Sequence, residues 1–301
     1  MKTLGLVDID QTKFPNLVLM KLSAHFKAQG YETELIKPQD VTGEISLFKD
    51  LEKLYGACTF TKNASIAKEL EMKGVHVAGT GTGKKEVLPD NIEHIMPDYS
   101  LYGIADTAYG FLTRGCPRGC PFCIVASKEG KRSRKVADLS EWWNGQKNIV
   151  LLDPNILACE ERIDLLQQLA NSHARVDFSQ GLDARLMDEK TVDLLNHIRT
   201  HMIHFAWDNP RDEAIKEKFA WLDKNLRVRD RTRTVVYVLT NYWSTLDEDL
   251  MRIYWPREHR FNPYVMVYDK EHAPRQIRRL QRWCNNRIIF GACKRFEDYR
   301  G

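Results

Sequence analysis

Arginine is missing from the first 105 residues and first occurs at position 114. That segment carries 12 lysines against 14 acidic residues, a balance of −2, whereas the remainder has 33 Lys+Arg against 27 Asp+Glu, a balance of +6. The first part is therefore no basic nucleic-acid clamp. Any affinity for an anionic partner belongs to the second, unless its cations only coat solvated helix faces. Long apolar runs are also missing. The N-terminal "MKTLGLVDID" breaks at Asp8 and Asp10, too early for a signal or spanning segment. The expectation is a cytoplasmic protein with no membrane partner. A disulfide pattern is absent as well: seven cysteines is an odd count, and Cys58, Cys159, Cys284 and Cys293 lie far apart. Those four read as small buried hydrophobes.

With 301 residues, 43% of them apolar, the chain can fill one large α/β domain or two smaller ones. The first segment alternates strand and helix: a strand over 4–7, a helix with apolar residues at Leu17, Met20, Leu22 and Phe26, a turn at Gly30 and a strand over 31–36. A further strand–helix–strand passage ends in a glycine turn at Gly79, Gly81 and Gly83, whose spacing is not that of the nucleotide fingerprint. This predicts a Rossmann-like open sheet over residues 1–108.

A second rhythm starts at 109. Strands are expected over 109–113, 149–153, 175–179, 203–207, 234–240 and 263–268, with helices over 160–170, 188–200, 211–225, 246–254 and 274–283. Six βα units predict a parallel barrel, or part of one, over residues 109–283, leaving 284–301 as a C-terminal extension.

What is conspicuously present is "YGFLTRGCPRGCPFCIV", residues 109–125, which sets Cys116, Cys120 and Cys123 on one loop after the first of these strands. A structural zinc site wants four ligands and finds no second CxxC or nearby histidine. Dithiol redox chemistry would use Cys120 and Cys123 and leave Cys116 unexplained. Three thiolates can instead hold three irons of a [4Fe–4S] cube and leave the fourth open. Gly115, Gly119, Pro117 and Pro121 suit a tightly wrapped loop, with Phe122 as a shield.

CxxxCxxC with an aromatic before the last cysteine resembles the radical S-adenosylmethionine (SAM) superfamily. "TRGCPRGCPFC" is similar to the subgroup that joins an N-terminal cobalamin-binding-like domain to the radical domain, and "NIVLLDPNIL", "FSQGLDARLMDEKTVDLL" and "IHFAWDNPRDEAIKEK" resemble its later strand regions. The resemblance implies an α/β protein with a partial (β/α)6 radical SAM barrel. It further implies a [4Fe–4S] cluster on Cys116, Cys120 and Cys123, bound SAM, and a one-electron reductant of flavodoxin or ferredoxin type. Reductive cleavage of SAM to a 5′-deoxyadenosyl radical, and hydrogen abstraction from a substrate, is the implied reaction. By position, Asp153 replaces part of a Gly-Gly-Glu that holds the methionyl amino group. Gln180 and Arg185 follow the third strand, with Arg185 suited to a carboxylate. Asp208 and Asn209 face ribose hydroxyls, and Thr240 and Asn241 end the fifth strand. As helix caps and loop polar groups, the same residues need no ligand.

The chain departs from that subgroup in lacking Asp-x-His-x-x-Gly, the cobalt-ligating motif. His25 and His76 are isolated. Cobalamin is admitted by the resemblance but disfavoured by this gap, so residues 1–108 read as a vestigial scaffold. Two basic stretches, "KEGKRSRK" over 128–135 and "RQIRRLQRWCNNR" over 275–287, together with Trp142, Trp143, Trp207, Trp243 and Trp255, keep nucleic acid open as a substrate beside peptide. The rivals to the enzyme are a zinc-containing nucleic-acid-binding protein and a non-catalytic iron–sulfur redox sensor.

Overall fold

The computed structural model describes residues 2–42, 51–84, 86–228 and 231–301. It is an α/β protein that divides into two compact units, one of Met1–Gly110 with Ser140–Gln146, the other of Phe111–Leu139 with Lys147–Gly301.

The first unit is built on a parallel sheet of β1 (Thr3–Asp8), β2 (Glu32–Ile36), β3 (Leu51–Ala57) and β4 (His76–Ala78) in the order β2-β1-β3-β4. Helix α1 (Leu17–Ala28) begins at Asn16, whose Oδ1 accepts from the amides of Val18 and Leu19. The short α2 (Pro38–Thr42) follows β2. Helix α3 (Ala64–Met72) joins β3 to β4, and α4 (Asp90–Glu93) follows. Alternation along β1 sends Leu4 and Leu6 to a cluster with Leu19 and Phe26, and Val7 to one with Ile36, Val41, Leu70 and Val77. Both faces are thus apolar, as expected for a covered parallel sheet. The returning residues 140–146 bring Trp142 against Gly110, where a Cβ would lie 2.3 Å from the indole, and the Tyr99 hydroxyl donates to the Trp142 carbonyl at 2.6 Å.

The other sheet has six strands in the order β12-β11-β10-β9-β8-β5. These are β5 (Thr107–Gly110), β8 (Asn148–Leu151), β9 (Arg175–Leu182), β10 (Thr200–Ala206), β11 (Thr234–Thr240) and β12 (Asn262–Val267). Neighbours from β8 to β12 pair in parallel. The helices after them are α6 (Arg162–Ser172), α7 (Glu189–His197), α8 (Ala214–Asn225), α9 (Leu246–Glu258), and α10 (Arg275–Asn285) with α11 (Arg287–Ala292). Asp188 caps α7, and Thr245 with Glu248 forms a capping box on α9.

Two differences from the sequence expectation shape the site. The strand expected over 109–113 ends at Gly110, because the amides of Leu112 and Thr113 donate to the Asp153 carboxylate instead of to a neighbouring strand. The chain then forms β6 (Thr113–Arg114), which pairs antiparallel with β7 (Arg134–Lys135), with the short α5 (Val125–Lys128) between them. The strand expected over 175–179 runs on to Leu182 through a register shift against β10, with Gly181 at φ +101°.

Candidate functional site

The β6–β7 ribbon closes the loop that carries the cysteines. Its neck is tight: a Cβ on Gly115, at φ +85°, would sit 2.2 Å from the Arg132 carbonyl oxygen. Glu129 clasps the neck, one oxygen taking the Arg114 guanidinium at 2.8 Å and the other the Gly115 amide at 3.0 Å. Farther along, the Cys116 amide donates to the Gly130 carbonyl and the Cys123 amide to the Cys120 carbonyl, while Gly119 turns at φ +58°. Cys116 and Cys120 are half-buried and Cys123 is exposed. Burial raises the Cys120 thiol; the Asp208 carboxylate, Cys123 and Cys116 push the same way against Arg118. The three sulfurs thus share one electrostatic neighbourhood.

The fit to a metal group is one of donor chemistry. Three thiols stand on a glycine-turned loop, and Asn155 Nδ2 donates to Cys116 Sγ at 3.5 Å. Among the described residues no three His, Cys, Asp or Glu side chains converge as ligands of a single ion.

Around this loop stand the C-terminal ends of the strands. Arg185 Nε donates to Asp183 Oδ1 at 2.6 Å and its Nη1 to Asp212 Oδ2 at 3.0 Å. Arg118, from the cysteine loop, lies 3.8 Å from the other Asp183 oxygen. Burial lifts Asp208 to about 6, against the pull of Arg252 and Arg185. Cys120, Arg118, Arg185 and Asp208 therefore form one group. Phe122 meets Tyr242 and Trp243 edge-on at 5.5 and 5.8 Å, and Tyr242 meets Tyr268 at 4.8 Å, giving the loop an aromatic border.

Other expected residues are occupied locally. Asp153, 4% exposed, takes the Leu112 amide and both the amide and hydroxyl of Thr113, so both oxygens are spent holding the entry to the loop. Gln180 is exposed, and its Nε2 donates to Ser179 Oγ at 3.5 Å. Asn209 Oδ1 accepts from the Arg211 amide. Thr240 is buried, its hydroxyl on the Met266 carbonyl, and Asn241 Nδ2 donates to the Tyr268 carbonyl from a left-handed backbone, φ +62°.

Sequence reasoning missed Arg252. Fully buried on α9, it donates to the carbonyls of Trp207, Asp208 and Leu239 and to Asp249 Oδ1, tying the ends of β10 and β11 together. Its i, i+3 spacing from Asp249 on the buried face of α9 was the only signal for it. Also missed was a polar layer on the sheet. His204 stacks on Tyr237 at 5.0 Å, donates from Nδ1 to the Phe178 carbonyl at 3.0 Å, and lies 3.7 Å from Asp177. Burial raises Asp177 and pushes Tyr237 up to about 12.

Of the basic stretch 128–135, Arg132 pairs with Glu160, Arg134 donates to the Glu129 carbonyl and Lys135 pairs with Asp138. Trp142 and Trp207 are core residues, while Trp243 is 39% exposed. Cys58, Cys159 and Cys284 are buried free thiols.

In the first unit, Asp10 stands beyond β1, beside the crossover point between β1 and β3 where open sheets bind ligands. It accepts from the amides of Thr59 and Phe60 and from Asn63 Nδ2. Those donors, which an anionic ligand tail would use, are taken by the protein's own carboxylate. The glycine turn is steric, since a Cβ on Gly79 would lie 2.3 Å from the Cys58 carbonyl oxygen.

No helix of the described residues is long and apolar enough to cross a membrane. No protein-family model matches the chain, and no curated protein matches it.

Proposed function

We propose that the chain is a radical SAM enzyme whose parallel six-stranded sheet is a partial (β/α)6 barrel. The observation that carries this reading is the pinched loop with Cys116, Cys120 and Cys123 at the C-terminal edge of that sheet, where α/β folds place their chemistry. The three cysteines would hold a [4Fe–4S] cluster, which when bound supplies the electron for reductive cleavage of SAM, itself drawn from a flavodoxin- or ferredoxin-type donor. The protein's own share is positional. Glu129 and Gly115 fix the loop, Phe122 and its aromatic neighbours border it, and Asp153 holds the backbone that leads in. Arg185, poised between Asp183 and Asp212, is the cation for a ligand carboxylate, and Asp208 is the acceptor for hydroxyls, joined by Asn209 only to the extent that its contact with the Arg211 amide leaves it an acceptor site. The Asp10 contacts support a first unit that acts as scaffold without cobalamin.

Anaerobic reconstitution tests this against its rivals. The enzyme reading requires iron, acid-labile sulfide and 5′-deoxyadenosine formed from SAM under a strong reductant. A cluster with no SAM cleavage would indicate a redox sensor, and stoichiometric zinc without sulfide a zinc protein.

A further inference from the structure

The two faces of the large sheet are unlike. On one, Val176, Phe178, Ile203, Phe205, Val236 and Val238 are 0–2% exposed. The alternate positions on the other face are Asp177 on β9, His204 on β10, Tyr237 on β11, and Tyr264 and Met266 on β12, aligned by the parallel pairing of Met202 with Asp177, Ala206 with Tyr237 and Tyr237 with Tyr264. None of these five is buried, and Tyr264 and Met266 are 39% and 45% exposed. Parallel strands ordinarily bury both faces. Here the second face lacks an apolar layer and carries polar groups at mid-strand.

The hydrogen bonds on this face have a single polarity. His204 gives its Nδ1 proton to the Phe178 carbonyl, which can only accept, so Nε2 of the neutral ring keeps a lone pair. The Tyr237 hydroxyl donates to the Ser179 carbonyl at 3.3 Å, and the Ser179 hydroxyl to the Leu151 carbonyl at 2.8 Å. Asp177 has no proton to give when ionised. Its Oδ1 is shut off from solvent and still receives no hydrogen bond. The His204 Nδ1, 3.7 Å away, is already committed to Phe178, and Arg175, two residues earlier on β9, reaches His201 Nδ1 instead. Leaving such an oxygen without a donor costs about 1–3 kcal/mol, more when it is charged.

Aromatic rings flank these acceptors: Tyr237 lies between the stacked His204 and the edge-on Tyr264, whose centroid is 5.9 Å away. An anion would be repelled by Asp177 and by the ring faces. A cation carrying N–H donors satisfies the carboxylate, the imidazole lone pair and the rings together. We propose that this face binds the guanidinium or ammonium group of a basic amino acid, free or within a peptide. Asp177 is the counter-charge, His204 Nε2 a further acceptor, and Tyr264 and Met266 the surface for the apolar stem. His204 stands four residues before Asp208 and Tyr237 three before Thr240, which sets the group about 10–13 Å from the strand ends that surround the cysteine loop. That the bound group is the substrate of a radical reaction rests on the function proposed above; its binding does not.

The test is calorimetry on the full-length protein at about pH 8, above the ordinary histidine value. The probes are N-acetylargininamide, N-acetyllysinamide, the neutral isostere N-acetylcitrullinamide, and an acetylated, amidated Gly-Arg-Gly tripeptide. At least one cationic amide should bind, with the citrulline compound weaker by about tenfold or more. D177N should weaken the cation by a similar factor without lowering the melting temperature, since it removes a carboxylate that the protein leaves unpaired. H204F, which keeps a ring on Tyr237 but lacks Nε2, should weaken it as well. Tighter binding of the tripeptide identifies a peptide-borne side chain, and equal or weaker binding the free amino acid. A variant lacking Cys116, Cys120 and Cys123 should bind as wild type, so failure of the SAM-cleavage reading and failure of this site are read separately. No binding of either cationic amide, equal binding of the citrulline compound, or an affinity that D177N and H204F leave intact overturns the proposal.

Discussion

Asn155 Nδ2 lies 3.5 Å from Cys116 Sγ, and its own carbonyl accepts from Ser133 Oγ at 2.9 Å, so one buried residue links the second β-strand crossing to both ends of the cysteine loop. An amide donating to sulfur stabilises the more negative state of a thiolate-bound cluster. In N155V the midpoint potential of the reconstituted protein should fall by roughly 40 mV, the equivalent of one hydrogen bond of about 1 kcal/mol for one electron. Redox titration followed by electron paramagnetic resonance checks this. An unchanged potential with full iron content would refute it.

The loop neck predicts a contrast between two glycines. Alanine at Gly115 collides with the Arg132 carbonyl in addition to its positive φ, whereas at Gly119 no atom lies within 4 Å of the added carbon. G115A should lose most of its iron. G119A should keep it and lose only about 1–2 kcal/mol of stability. Iron per chain after identical reconstitution separates the two.

Arg252 and Asp249 are both fully buried, and replacing only one leaves the other without its counter-charge. R252M should destabilise the protein by about 3–5 kcal/mol in urea unfolding, while R252M/D249L should recover much of the loss. Equal stability of the two variants would deny the pairing.

Burial holds Asp153 up at about 7, although the Thr113 and Leu112 donors pull it down. Between its ordinary value of 3.8 and about 7 the folded state then binds more protons than the unfolded state. The contribution of this group is therefore full below the lower value and is lost as pH rises through the upper one. Unfolding free energy measured at pH 4.5, 6 and 7.5 should decline across that window, and the decline should be smaller in D153N. Parallel pH profiles for the two proteins would show that Asp153 is ionised throughout.

The alternation of apolar strands and amphipathic helices made the two parallel sheets legible, because each βα unit buries its own strand and helix. The ribbon of β6 and β7 was not legible. Two-residue strands made of Thr113, Arg114, Arg134 and Lys135 have no periodicity, and their pairing depends on Asp153 diverting the amides just before them. The cysteine spacing is visible in any reading of the chain. Arg185 was visible as a cation, but not its two carboxylate partners, which come from different loops. Arg252 and His204 were not legible either, because the carbonyls of Trp207, Asp208 and Leu239 and the Tyr237 ring that they meet lie dozens of residues away or on neighbouring strands that only the sheet brings together.

The return of Ser140–Gln146 to the first unit also dictates an order of assembly during synthesis. Trp142 is needed to cover Gly110 and to accept the Tyr99 hydroxyl, so a nascent chain that has just emerged through β5 cannot complete its first unit. At translation speeds of about 5–20 residues per second, the next three dozen residues take roughly 2–7 s. During that interval the cysteine loop leaves the ribosome before the unit that precedes it has closed. The two units are thus interleaved in time, and neither can be detached by a single cut in the chain.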